Sequence, residues 1–94
     1  MSRLLRTIQA LVRKNRYIIG VHAAERLEER DIMEWQAVVG LEDSEFLTER
    51  LDAKPNPTVE VREPLPDGSE FKAVWSHLRR IDVAKLVTVH FFDE

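Results

Sequence analysis

The chain contains no cysteine and only three glycines. Without thiols it forms neither a disulfide framework nor a thiolate metal site. Gly20, Gly40 and Gly68 stand far apart, so no glycine-rich loop is present to cradle a phosphate. No apolar run approaches the roughly 20 residues needed to span a bilayer. The basic N-terminal stretch lacks the continuous apolar core and cleavage site of a signal peptide, so no membrane role and a cytoplasmic location are expected. Histidine is also scarce. His22, His77 and His90 fall in neither an H-x-x-x-H nor an H-E-x-x-H spacing, so neither a metal nor a cofactor is expected. No G-x-S-x-G motif supports a serine hydrolase, and no internal repeat or low-complexity segment occurs.

What remains is a soluble-type composition, 44% hydrophobic and 33% charged over 94 residues, which fits one domain with a modest core. The net charge of −3 hides an asymmetry. Residues 1–16 hold Arg3, Arg6, Arg13, Lys14 and Arg16 and no acid, whereas the remainder is strongly acidic. A nucleic acid would not be drawn to such a molecule as a whole; a local basic patch is required.

Hydrophobic spacing predicts helices over about 2–15, 22–30 and 32–41. In the first, Leu4, Leu5, Ile8, Leu11 and Val12 share a face opposite the basic residues, and Ser2 is positioned as N-cap. Asp31 and Glu34 stand at capping-box spacing before the third. Gly40 is placed to end it. Beyond Gly40 the pattern becomes strand-like over about 44–51, 58–63, 69–79 and 84–92. Val59 and Val61 alternate with Glu60 and Arg62, as in a strand with one wet face. Pro64, Pro66, Asp67 and Gly68 mark a turn. The expected fold is α+β, with the helices packed on a four-stranded antiparallel meander. The chain reads as a single domain over 1–94, with 1–15 as a helical extension of a core over 17–92. Val59, Val61, Val87, Val89 and Phe91 are expected on one buried face. Trp35 and Trp75 fit core positions. Tyr17 to Val21 is too short to assign between a strand and an extended link.

The organising stretch is YIIGVHAAERLEERDI, residues 17–32. His22, Arg26 and Arg30 recur every four residues and stack in one stripe of a helix, beside the apolar Ala23, Ala24 and Leu27. The charge order is unusual. Glu25 precedes Glu29 and Arg26 precedes Arg30, so both four-residue pairs are like-charged. The arginines are therefore expected to find partners outside their helix, in a strand carboxylate or an anionic ligand, either of which a guanidinium grips with two bonds.

The helix H-A-x-x-R-x-x-x-R, here His22, Ala23, Arg26 and Arg30, precedes a second helix and a sheet ending in LVTVHFF. This arrangement resembles a bacterial domain family of unknown function. That family is similar to the RelE-like toxins, within the barnase, EndoU, colicin and RelE group of small endoribonuclease folds. The resemblance runs from Tyr17 to Phe92. It implies helices on an antiparallel sheet, metal-independent RNA cleavage, and RNA, the ribosome or a small antitoxin protein as partners. The chain departs from the group in its sequence pI near 5.6, since RelE-like toxins are usually basic. The group also places catalytic residues on strands, where this chain offers Arg62, Lys72, His77, Lys85 and His90.

Cleavage of this type needs a base for the ribose 2′-hydroxyl, an acid for the leaving 5′-oxygen and a cation at the phosphate. His22 and His90 are the candidate proton-transfer pair. Arg26 and Arg30 are the candidate phosphate grip, with Lys72 or Arg62 in support. Opposed to this is a structural reading. His22 then serves as a capping or hydrogen-bonding residue. Arg26 and Arg30 pin the helix to Glu49, Glu60 or strand carbonyls, and the chain is a non-catalytic protein-interaction domain.

Overall fold

The computed structural model describes residues 2–93. Helix α1 (Arg3–Arg13) leads into a short strand β1 (Tyr17–Ile19), helix α2 (Val21–Glu29) and helix α3 (Glu34–Gly40). A 3₁₀ turn at Leu41–Asp43 follows, then β2 (Glu45–Arg50), β3 (Thr58–Pro64), β4 (Glu70–Leu78) and β5 (Val83–Phe91). No helix among the described residues is long and apolar enough to cross a membrane.

The class is α+β, but the sheet is not a four-stranded antiparallel meander. It has five strands in the order β1-β5-β4-β3-β2. The strands β2 to β5 do form the antiparallel meander. The fifth strand is Tyr17–Ile19, which pairs parallel with β5 through Tyr17 and Ala84, Ile18 and Lys85, and Ile19 and Leu86. Three residues are too few to show an alternation, and their partner lies more than sixty positions away in sequence, so only tertiary pairing makes them a strand.

Ser2 caps α1, its hydroxyl accepting the Leu5 N–H at 2.9 Å and donating to Glu49 at 2.6 Å. Leu4, Leu5, Ile8, Leu11 and Val12 are all buried in the one hydrophobic core, together with Ala23, Leu27, Ile32, Ala37 and Leu41 from the other helical segments. The sheet contributes Val59, Val61, Phe71, Ala73, Trp75, Ala84, Leu86 and Val89. Helix α1 thus belongs to the same core as the rest. Ile8, fully buried, is its central residue. Ile8→Ala is expected to destabilise the whole domain by about 3–4 kcal/mol, in a single cooperative transition measured by urea unfolding. A loss well below about 1 kcal/mol would mean that α1 docks only loosely.

Three local expectations need correction. Val87 is not on the buried face with Val89. The β4–β5 register slips between Val74 and Trp75, so Trp75 faces Leu86 while Val74 faces Thr88. The extra residue is Val87, and the bulge hands its inward position to Leu86. Phe91 only packs partly buried against the core. Second, α3 is not capped by Asp31. That residue adopts φ 55° in the bend, a conformation that Asp tolerates. The N-cap is Met33, whose N–H donates to Gln36 Oε1 at 2.9 Å. Third, Trp35 is not a core residue. It is 60% exposed, whereas Trp75 is fully buried.

Strand β3 continues its inward alternation past Val59 and Val61 to Glu63, a carboxyl group at a core position with no exposed surface. Glu63 Oε2 accepts the Trp75 indole N–H at 3.1 Å, while Oε1 has no hydrogen-bond partner among the described residues. A Cβ on Gly40 would stand 2.8 Å from Oε1, so the α3 terminus needs a bare backbone there. Burial pushes the Glu63 carboxyl up to about 8, and the Trp75 bond offsets this only partly. The folded chain therefore retains a proton that the unfolded chain loses in the ordinary carboxylate range. Stability falls as the pH rises from that range towards 8, because the unfolded state binds fewer protons across the window. Glu63→Gln keeps an acceptor for Trp75 and removes the titration. Its stability relative to the parent should be near even at pH 4 and better at pH 8, by on the order of 3–5 kcal/mol. Urea unfolding at the two pH values checks this, and a gap that does not widen with pH would refute it.

Candidate functional site

The sheet has one face under the helices and one open. On the open face the register aligns Glu45, Arg62, Lys72 and His90 in one row across β2, β3, β4 and β5. The alternation in the sequence could not show this convergence, because the row depends on three interstrand registers. His90 and Lys72, with Phe91 and Phe92, line a cavity of about 210 Å³. Carboxylates occupy the cations of the row. Arg62 bonds Glu45 and lies 3.8 Å from Glu70, and its guanidinium sits 4.9 Å over the Phe92 ring. Lys72 lies 3.5 Å from Glu60, which Arg50 also approaches at 4.0 Å. These pairs hold the strands in register but leave little positive charge for a ligand.

His77, the third histidine, is used structurally. Its Nε2 lies 2.8 Å from Asp82 in the β4–β5 turn. Arg16 clamps the same turn, donating to the carbonyls of Ile81 at 2.9 Å and Asp82 at 3.1 Å.

The start of α2 differs from the open face. Strand β1 delivers Gly20 to β5, where its N–H donates to the Leu86 carbonyl at 2.9 Å. The first intrahelical bond runs from Ala24 N–H to Gly20 C=O, so the amides of Val21, His22 and Ala23 precede the helical ladder. No side chain caps this end, and the first turn carries no acid. Lys85, paired with Ile18 in the register, lies across Gly20. A methyl built on Gly20 would stand 2.9 Å from its Cε and 3.9 Å from its ammonium. A cation is thus held at the positive end of a helix, where an anion is the favoured neighbour.

His22 is exposed in the first turn, and Arg26 Nε–H donates to His22 Nε2 at 3.4 Å. That contact exists only while Nε2 carries no proton. Neither Arg26 nor Lys85 has a carboxylate within ion-pair distance among the described residues. Glu49 and Glu60, the strand acids that a structural role would use, are engaged by Ser2 and by Lys72 and Arg50. Arg30 closes the helix. Its side chain is only 11% exposed and lies 3.5 Å from Glu29. The structure therefore joins His22 to Arg26, adds Lys85 at the same helix end, and puts His90 in a cavity whose other walls come from β4, β5 and the residue after β5.

Lys85 was among the strand cations visible in the sequence, but its position at the start of α2 depends on the parallel β1–β5 pairing. Comparison with protein-family models, with curated proteins and with solved structures finds no match.

Among the described residues Arg26 has one side-chain hydrogen bond, to His22, and no ion pair, so its removal strands no carboxylate there. Arg26→Ala is expected to change the unfolding free energy by less than about 0.5 kcal/mol, read by thermal or urea unfolding. A loss of several kcal/mol would reveal a structural ion pair instead.

Proposed function

We propose that the start of α2 binds an RNA phosphate, and that the chain is a metal-independent endoribonuclease or RNA-binding protein of the RelE-like kind that its helix motif resembles. The observation that carries this reading is a contrast in charge pairing. On an acidic chain, the cations of the open sheet face are matched with glutamates, yet Lys85 reaches the uncapped end of α2, and neither it nor Arg26 has a carboxylate within ion-pair distance among the described residues. Such an arrangement costs folding energy unless an anion completes it.

In this reading Lys85, Arg26 and the amides at the head of α2 hold the phosphate and stabilise charge as it develops on phosphorus. His22 Nε2, released when the Arg26 guanidinium turns to the phosphate, takes the proton of the ribose 2′-hydroxyl. The 2′-oxygen attacks phosphorus and the bond from phosphorus to the 5′-oxygen breaks, which leaves a 2′,3′-cyclic phosphate. The departing 5′-oxygen takes its proton from solvent water, since His90 stands on the open face beside Lys72, four residues beyond the Leu86 carbonyl that anchors the head of α2. Arg30 completes the stripe at the far end of the helix.

The test uses a labelled single-stranded RNA, with affinity measured at two salt concentrations and cleavage followed on a gel. Arg26→Ala and Lys85→Ala should each weaken binding by about tenfold and lower the salt slope by about one. His22→Ala should abolish cleavage while leaving affinity within a few-fold of the parent, since a proton-transfer group acts in the transition state. Absence of RNA affinity in the parent protein would overturn the proposal. Affinity without cleavage would leave RNA binding standing and remove the nuclease.

A further inference from the structure

A second surface lies between α3 and the β3–β4 turn. It is a groove of about 210 Å³ lined by Trp35, Val39, Gly40, Asp43, Pro64 and Leu65, among others. Helix α3 turns Ala37 and Gly40 inward and leaves Trp35 and Val39, four residues apart, each 60% exposed. Met33, at the N-cap, is 61% exposed. A large aromatic held in solvent by a short helix adds little to its own core, and buried tryptophan is among the strongest anchors at protein interfaces. The floor is Gly40, kept bare by the Glu63 carboxyl beneath it.

The surroundings are of one sign. Residues 31–49 contain six acids and no base, and residues 63–71 contain three acids and no base. Asp43 lines the groove, and Asp31 and Asp67 line the adjoining hollow beside Gln36, Leu65 and Pro66. Asp31, Glu34 and Asp43 have no ion pair among the described residues.

We propose that this groove docks a segment of a partner protein in which apolar residues are flanked by lysine or arginine. The apolar residues cover Trp35, Val39 and Leu65, and the flanking cations meet Asp31, Asp43 and Asp67. A second copy of this chain fits less well. Helix α1 is basic, but its apolar residues are consumed by its own core. The β4–β5 turn carries Arg79 and Arg80 but offers one apolar residue, Ile81, against a groove several residues wide.

The probe is a short, fluorescein-labelled peptide of leucine and lysine at helical spacing, free of tryptophan, with a leucine–glutamate peptide of the same pattern as control. The leucine–lysine peptide should bind with saturation, raise its anisotropy and blue-shift the emission of the exposed Trp35. Trp35→Ala and Val39→Glu should each weaken binding at least tenfold, and Asp43→Lys with Asp67→Lys should weaken it comparably and reduce its salt dependence. Circular dichroism melts confirm that each variant is folded, and because three separate variants are made, failure of one to fold leaves the others decisive. Equal binding of the glutamate peptide, undiminished binding by both Trp35→Ala and Val39→Glu, or no binding at all would overturn the proposal. Concentration-dependent self-association abolished by Trp35→Ala would also overturn it, with a second copy as the occupant. Lys85→Ala should leave peptide binding unchanged, which separates this surface from the RNA reading.

Discussion

The parallel pairing of β1 with β5 is the constraint on which the candidate site depends. It fixes where the chain turns from strand to helix, because the Gly20 N–H is bound to the Leu86 carbonyl before α2 begins. That single register brings Lys85 across Gly20 and sets the uncapped amides of α2 beside its ammonium. It also anchors α2 along β5, so that Ala23 and Leu27 are buried while His22 remains exposed. A shift of one residue in β1 would turn Ile18 and Lys85 to opposite faces and dissolve the cluster.

A second constraint operates inside the core. Trp75, the largest fully buried side chain, needs a partner for its indole N–H, and Glu63 supplies one. The cost is a buried carboxyl that stays protonated to about pH 8 and an Oε1 facing the end of α3. Gly40 is the residue that tolerates this approach. The same contact shapes the groove above it, so the polar pair in the core and the exposed face of α3 are linked through one bare backbone position.

The distribution of charge separates the two surfaces. Across the open sheet, Arg62, Lys72 and Arg50 are absorbed by Glu45, Glu60 and Glu70. Such exposed pairs contribute little stability, and they also leave that face nearly neutral. Among the described residues, cations without an ion pair remain at Arg26 and Lys85, and acids without one at Asp31, Glu34 and Asp43. A chain with a modest net charge can thus offer separate sites to an anion and to a cation, since screening limits each field to about 8–10 Å at ordinary salt.

The sequence by itself determined the α+β class, the three helices, the four meander strands, the Ser2 cap, the apolar face of α1 and the four-residue spacing that brings Arg26 to His22. These features arise from local periodicity and capping chemistry, which act within a few residues. The like-charged spacing pointed Arg26 to a partner outside its helix, but the partner the structure gives it is His22, one turn earlier on α2. Tertiary structure decided the rest. It made Tyr17–Ile19 a strand, moved Val87 off the buried face through a bulge, exposed Trp35 and buried Glu63. It also brought Lys85 to the start of α2 and aligned Lys72 with His90. Each of these depends on strand register or on helix packing between residues distant in sequence, where a shift of one position reverses a side chain and no local pattern records the choice.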